Sequence, residues 1–229
     1  MSSLEEAAKT ISEAFTIPLS EQECLTVLTA CYKYEVAIHG GRYDDSGVQN
    51  TLLSQVARFL VHPAHRTGMI FLGQPGCGKT TMMLAVKLLV SRLKLHDNLA
   101  PSTETYAQAT ISEYDARDLL RYYDRSYEYF CQIKSKGMVA IDDLGEEQKG
   151  NVKYGQLSFP INEFIEYRYS RMLFTLITTN LPFDGFEDDD GNPVFGIRDV
   201  YGERFSDRLR ESLLPVVFDR PSFRKRRNN

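Results

Sequence analysis

Eight consecutive residues, Gly73-Gln74-Pro75-Gly76-Cys77-Gly78-Lys79-Thr80, fit the pattern G-x-x-x-x-G-K-[ST] at every fixed position. Each residue type there has a task in holding a polyphosphate. Glycines reach backbone conformations closed to other residues, so successive N–H groups can converge on one phosphate. A helix that begins at the end of the loop adds the positive end of its dipole. The lysine then meets the β- and γ-phosphates, and the threonine hydroxyl ligates Mg²⁺. This assigns Gly73, Gln74, Pro75, Gly76, Cys77, Gly78, Lys79, Thr80 and Thr81 to a nucleotide such as ATP. An apolar run, Met69-Ile70-Phe71-Leu72, precedes the loop and a helix-like stretch from Thr81 to Lys94 follows it. That strand, loop and helix order distinguishes the motif from a chance glycine turn.

Two further strand ends carry matching chemistry. Met138-Val139-Ala140-Ile141-Asp142-Asp143 is an apolar strand that finishes in two carboxylates. The end of a short buried strand projects toward the loop of its neighbour, so Asp142 is expected to hold Mg²⁺, directly or through water. Asp143 is expected to polarise the attacking water, a task commonly given to the longer glutamate; capping of the turn before Gly145 is the competing reading. Leu176-Ile177-Thr178-Thr179-Asn180 ends in polar residues, with Asn180 placed to bond the lytic water or the γ-phosphate, although Thr-Asn-Leu-Pro also makes an ordinary turn. In Tyr201 to Arg210, Arg204 and Arg208 lie four apart and share a helical face. An arginine offered to a neighbouring subunit's γ-phosphate stabilises transition-state charge in trans; the alternative is pairing with Glu203, Asp207 and Glu211 on a solvated helix.

These residues need elements to position them. Apolar strands are expected at Gly68–Leu72, Tyr106–Ile111, Met138–Ile141, Leu173–Thr178 and Pro215–Val217, with helical stretches between. Such alternation implies an α/β three-layer sandwich of the P-loop NTPase kind, a largely parallel central sheet covered on both faces. Residues 1–65 read as a small helical N-terminal region that binds a partner or packs on the core. It contains a segment from Leu4 to Phe15, a helix opened by the capping box Ser20-Glu21-Gln22-Glu23 and ended by Gly40 and Gly41, and an apolar-periodic stretch from Val48 to Val61. Residues 66–219 form the core, and 220–229 a basic tail.

Composition narrows the class. With 229 residues, 42% hydrophobic and 25% charged, the chain can bury a sizeable core and is not a disordered or fibrous sequence. No apolar run approaches membrane-spanning length, and Met1 to Glu6 lack the basic and apolar regions of a signal peptide, so a cytoplasmic protein is expected. Cys24, Cys31, Cys77 and Cys131 form no C-x-x-C pair, which argues against a zinc site or a disulfide framework, and His39, His62 and His65 have no acidic or cysteine partner at ligand spacing.

Taken together, Ile141-Asp142-Asp143-Leu144-Gly145, Thr178-Thr179-Asn180-Leu181, Gly202-Glu203-Arg204 with Asp207-Arg208, and Ser222-Phe223-Arg224 resemble the AAA+ ATPases of the DnaC, DnaI and IstB group of helicase loaders and transposition helpers. The resemblance covers roughly Gly68 to Arg224. It implies an ATPase that assembles head to tail, binds single-stranded DNA, and delivers a replicative helicase or supports a transposase. It implies that Asn180 serves as the sensor 1 residue and that Arg208 is the finger acting in trans, with Arg204 the second candidate. Only 21 residues follow Arg208, so the helical lid that many AAA+ proteins carry is not expected, and the resembled group is similarly lidless. Two segments depart from the family: Asp184 to Asp199 looks like an insertion, and residues 1–65 match no helicase-binding domain. A small-molecule kinase and a non-hydrolysing nucleotide-binding module are the remoter alternatives.

Tyr114 to Phe130 interleaves Tyr114, Tyr122, Tyr123, Tyr127, Tyr129 and Phe130 with Arg117, Arg121 and Arg125. Aromatic faces beside arginines suit a single strand; Asp118, Asp124 and Glu128 could instead neutralise those arginines on a solvated face. The tail holds Arg220, Arg224, Lys225, Arg226 and Arg227 with no acid among them after Arg220, an arm for phosphates or a solubilising end. Glu187-Asp188-Asp189-Asp190-Gly191 reads as a solvated loop.

Overall fold

The computed structural model describes residues 15–95, 109–148 and 159–223. The helical segment expected from Leu4 lies outside this set except for Phe15, as does the tail beyond Phe223. The first helix, α1 (Glu21–Ile38), opens on the capping box read from the sequence: Ser20 Oγ accepts the Glu23 N–H at 3.3 Å, and the Glu23 carboxylate accepts the Ser20 N–H at 2.9 Å. Helix α2 (Gly47–Val61) follows, then strand β1 (Gly68–Gly73) and helix α3 (Lys79–Leu93). After β2 (Ser112–Asp115) come α4 (Ala116–Arg125), α5 (Tyr127–Lys134) and β3 (Met138–Leu144). A 3-10 turn, Glu146–Gln148, leaves β3; α6 (Phe159–Ser170) and β4 (Phe174–Thr179) complete the central strands. The segment read as an insertion forms a small hairpin, β5 (Phe186–Glu187) and β6 (Pro193–Val194), then α7 (Ile197–Tyr201). Helix α8 (Glu203–Ser212) runs directly into β7 (Leu213–Phe218).

Five strands form one parallel sheet in the order β2-β3-β4-β1-β7. Their side chains alternate between two cores, as a period of two requires. Met69 and Phe71 of β1 face the core built with α1, α2 and α3, whereas Ile70 and Leu72 face the one built with α4 to α8. The helical region ahead of β1 therefore shares a continuous core with the sheet, through Cys24, Leu28, Leu53 and Val56 against Met82 and Val86.

The expected strand Tyr106–Ile111 is displaced. Tyr106 to Gln108 lie outside the described residues, Ala109 to Ile111 are not strand, and pairing with β3 begins at Ser112. Ala109 and Ile111 are buried as anchors of the approach to the sheet, while the paired edge strand Ser-Glu-Tyr-Asp is only half-buried. Apolar content marked the anchor rather than the strand.

A buried arginine locks the base of the sheet. Arg168 on α6 is 1% exposed and donates to the carbonyls of Lys134 (3.0 Å), Lys136 (2.7 Å), Gly137 (3.3 Å) and Phe174 (2.6 Å) and to Thr175 Oγ1 (2.9 Å). Burial pushes its pKa down to about 9, so it remains a cation at neutral pH. Arg168→Met leaves several buried acceptors unpaired and relieves the cost of burying a charge. The unpaired acceptors outweigh that relief, and the expected loss of about 3 kcal/mol is read as a lower urea midpoint.

Candidate active site

The ends of β1, β3 and β4 meet the first turn of α3 at one cavity of about 1150 Å³. Its walls include Pro75, Gly76, Gly78, Lys79, Thr80 and Thr81 of the loop, Asp142, Asp143 and Asn180 from the neighbouring strand ends, and Phe223. Gly73, Gln74 and Cys77 complete the loop without lining the cavity; Cys77 is buried. Gly76 and Gly78 take φ of +82° and +99°, and Gly78 caps α3 from that left-handed conformation. A Cβ on Gly78 would stand 2.8 Å from both Arg220 Nη2 and the Tyr32 hydroxyl, so this position excludes a side chain on two counts.

Lys79 is 5% exposed, and its ammonium donates to Gly73 O (2.8 Å), Gln74 O (3.0 Å) and Asn180 Oδ1 (2.8 Å). Burial lowers its pKa, with the Cys77 thiol and the carboxylates Asp143 and Asp142 pulling the other way. Thr80 Oγ donates to Asp142 Oδ1 at 3.0 Å, and the Thr178 hydroxyl donates to the same carboxylate oxygen. Desolvation raises the Asp142 pKa, opposed by these hydroxyls and reinforced by Asp143. A hydroxyl and a carboxylate this close are a hard-oxygen pair, the donor type Mg²⁺ takes together with phosphate oxygens and water. Among the described residues no group of three or more His, Cys, Asp or Glu could hold a metal.

A bulge between Ile141 and Leu144 brings Asp143 to the cavity. Asp143 has φ of +56°, uncommon for a residue with a side chain, and its N–H donates to Thr178 Oγ1 at 2.9 Å. Asn180 links two sides of the site: besides accepting from Lys79, its Nδ2 donates to Glu146 Oε1 at 3.3 Å. Glu146 was not singled out from the sequence.

Two other contributions were also unforeseen. Arg220 donates to Cys77 O (2.7 Å), the Tyr32 hydroxyl (3.2 Å) and Gln49 Oε1, between the rings of Phe218 and Phe223, and the Phe223 N–H bonds Gly76 O at 3.0 Å. Arg220 therefore clasps the loop to α1 and α2. The far wall of the cavity comes from the end of α1 and the following turn, including Val36, Gly40, Gly41 and Arg42.

Arg208 stands outside the cavity. Its guanidinium donates to Glu166 Oε1 at 2.7 Å and lies over the Tyr169 ring, while the more exposed Arg204 reaches the same carboxylate at 3.4 Å. The sequence offered partners within the helix; both arginines pair instead across to α6. On α4, Arg117 is bidentate with Asp115 and Arg121 pairs with Asp118, while Tyr114, Tyr122, Tyr123, Tyr129 and Phe130 pack edge to face. Tyr127 and Tyr129 are nevertheless exposed, and Arg125 is exposed with no ion pair among the described residues. No helix among the described residues is long and apolar enough to cross a membrane.

Comparison with protein-family models and with curated protein sequences found no match. Solved structures do match. The DnaC helicase loader aligns with a TM-score of 0.56 and 19% identity over 77% of this chain and 93% of its own. DnaI aligns with a TM-score of 0.50 and 16% identity, covering 77% and 87%. AMPPCP-bound DnaA from Aquifex aeolicus aligns with a TM-score of 0.50 and 11% identity over 76% of this chain and 48% of that one. The chain has the α/β P-loop AAA+ fold shared by these DnaC- and DnaI-like proteins.

Proposed function

We propose that this chain is a helicase-loader-like AAA+ ATPase that binds ATP, assembles with copies of itself and acts on single-stranded DNA in replication. The observation that carries the reading is the convergence of Lys79, Thr80, Asp142, Asp143 and Asn180 on one cavity from the ends of two sheet strands and from one helix. The loop glycines orient N–H groups toward a polyphosphate, and Lys79 exchanges its carbonyl partners for phosphate oxygens. Thr80 and Asp142 would hold Mg²⁺, which when bound would neutralise charge on the phosphates. Asp143 orients the lytic water and Asn180 bonds it or the γ-phosphate. Arg208 leaves Glu166 to reach the γ-phosphate of the adjoining subunit.

In this reading, residues 66–219 are the ATPase core, 1–65 a region that packs on it or binds a partner, and 220–229 a basic arm whose first residues, Arg220 to Phe223, are held against the phosphate loop. DnaA has been solved with AMPPCP and single-stranded DNA, at a TM-score of 0.50 and 12% identity. Its fold is shared here, which supports testing the same pair of ligands on this chain. The exposed Tyr127, Tyr129 and Arg125 offer stacking and charge to a strand. Anisotropy of a labelled single-stranded oligonucleotide is expected to show at least about tenfold tighter binding with AMPPCP than with ADP, and a steep loss with salt. Equal affinity in the two nucleotide states would contradict a switch acting on DNA.

A further inference from the structure

Glu146 enters the cavity from the 3-10 turn that leaves β3. The turn is sharply fixed. Gly145 takes φ of +102°, and a Cβ there would stand 2.7 Å from Leu181 Cδ1. Glu147 is 5% exposed; its carboxylate accepts the Gly145 N–H at 2.8 Å and the Tyr201 hydroxyl. With Glu147 anchored in the core, its neighbour Glu146 lines the cavity beside Asp142, Asp143 and Asn180.

Asn180 connects this carboxylate to the loop, accepting from Lys79 at 2.8 Å through Oδ1 and donating to Glu146 at 3.3 Å through Nδ2. A phosphate in the loop competes for Lys79, which changes the partners of Asn180 and so the constraint on Glu146. Asp143 is the less adaptable carboxylate: it is one methylene shorter, and its backbone is fixed at φ +56° by the bulge and by the bond to Thr178. Arg117 lies within electrostatic reach of both Asp143 and Glu146.

We propose that Glu146 is a further catalytic residue, the carboxylate that takes the proton of the lytic water while Asn180 aligns it. The proposal rests on the ATPase reading above. The water oxygen forms a bond to the γ-phosphorus; the bond from that phosphorus to the β–γ bridging oxygen breaks, its electron pair leaving on ADP. The water proton passes to a Glu146 oxygen. Asp143 then serves to orient the water.

The test is single-turnover ATP hydrolysis by the full chain, with ATP affinity measured in parallel, for the parent, Glu146→Gln, Glu146→Asp and Asp143→Asn. Loss of a general base typically lowers the rate 10²- to 10⁴-fold. Glu146→Gln is expected to be at least about 100-fold slower, with ATP affinity within about threefold and the acid limb of the pH–rate profile abolished. Glu146→Asp keeps that limb at an intermediate rate, and Asp143→Asn keeps it too. A Glu146→Gln rate within about threefold of the parent overturns the proposal, as does a parallel loss of ATP affinity, which would make Glu146 a binding residue. A parent that binds no ATP overturns the ATPase reading itself, and Glu146 with it.

Discussion

Arg208→Ala lowers ATP turnover per subunit by about 10³-fold or more while leaving ATP affinity nearly unchanged, if the finger acts as proposed. The reasoning starts from where the structure puts this arginine. It does not line the cavity that Lys79 and Asp142 line, so its proposed role is at such a site on another copy of the chain. Its side chain is 18% exposed, docked on Glu166 at 2.7 Å. That ion pair holds the Glu166 carboxyl below its usual range. The Glu166 side of the pair is half exposed, and ion pairs open to solvent contribute little to stability, so the cost of releasing the arginine is small compared with a γ-phosphate contact. Glu166→Gln removes the competing anion and should leave turnover equal or higher. Mixing Arg208→Ala subunits with Asp142→Asn subunits should recover part of the lost activity, because an intact site can then face an intact arginine. An Arg208→Ala rate within about threefold of the parent, or loss without recovery on mixing, would remove Arg208 as a trans-acting residue.

Lys79→Ala is expected to weaken ATP binding at least about 100-fold, close to 2.7 kcal/mol, and to abolish hydrolysis. The lysine is the buried cation of the loop and already sits among three oxygen acceptors that a polyphosphate would replace. In the ligand-free protein the substitution has opposing effects. It removes a cation whose burial is unfavourable, as its lowered pKa shows, and it deprives Gly73 O, Gln74 O and Asn180 of a donor. Those effects offset, so the melting temperature without ligand should change by only a few degrees, while the rise that ATP causes in the parent disappears. A melting curve with and without ATP reads both. A variant that still melts higher with ATP would show that the loop is not the triphosphate site.

Much of the site was legible because its residues stand at the ends of apolar strands. Gly73 to Thr80, Asp142 and Asn180 each follow a run that must be buried, so linear order revealed which side chains emerge at one edge of the sheet. The capping box at Ser20 was legible for a similar reason, since its bonds span only three residues. Interactions that depend on tertiary approach were not. Nothing in the sequence marks Arg168 as a buried residue; that follows only from the carbonyls of Lys134, Gly137 and Phe174 that accept from it. Arg220 looked like part of a basic tail, yet it bonds Cys77 and Tyr32, more than 140 residues away in sequence. Glu146 and Glu147 are adjacent acids with opposite environments, one at the cavity and one in the core, and no periodicity separates them. The strand expected to end at Ile111 failed because a half-buried edge strand needs little apolar content.

The most direct measurement is ATP hydrolysis per subunit as protein concentration is raised, with and without single-stranded DNA. A site completed by a neighbour's Arg208 predicts specific activity that climbs with concentration to a plateau and shifts when DNA is added. Turnover that is independent of concentration and insensitive to DNA would contradict an ATPase assembled in trans on a single strand.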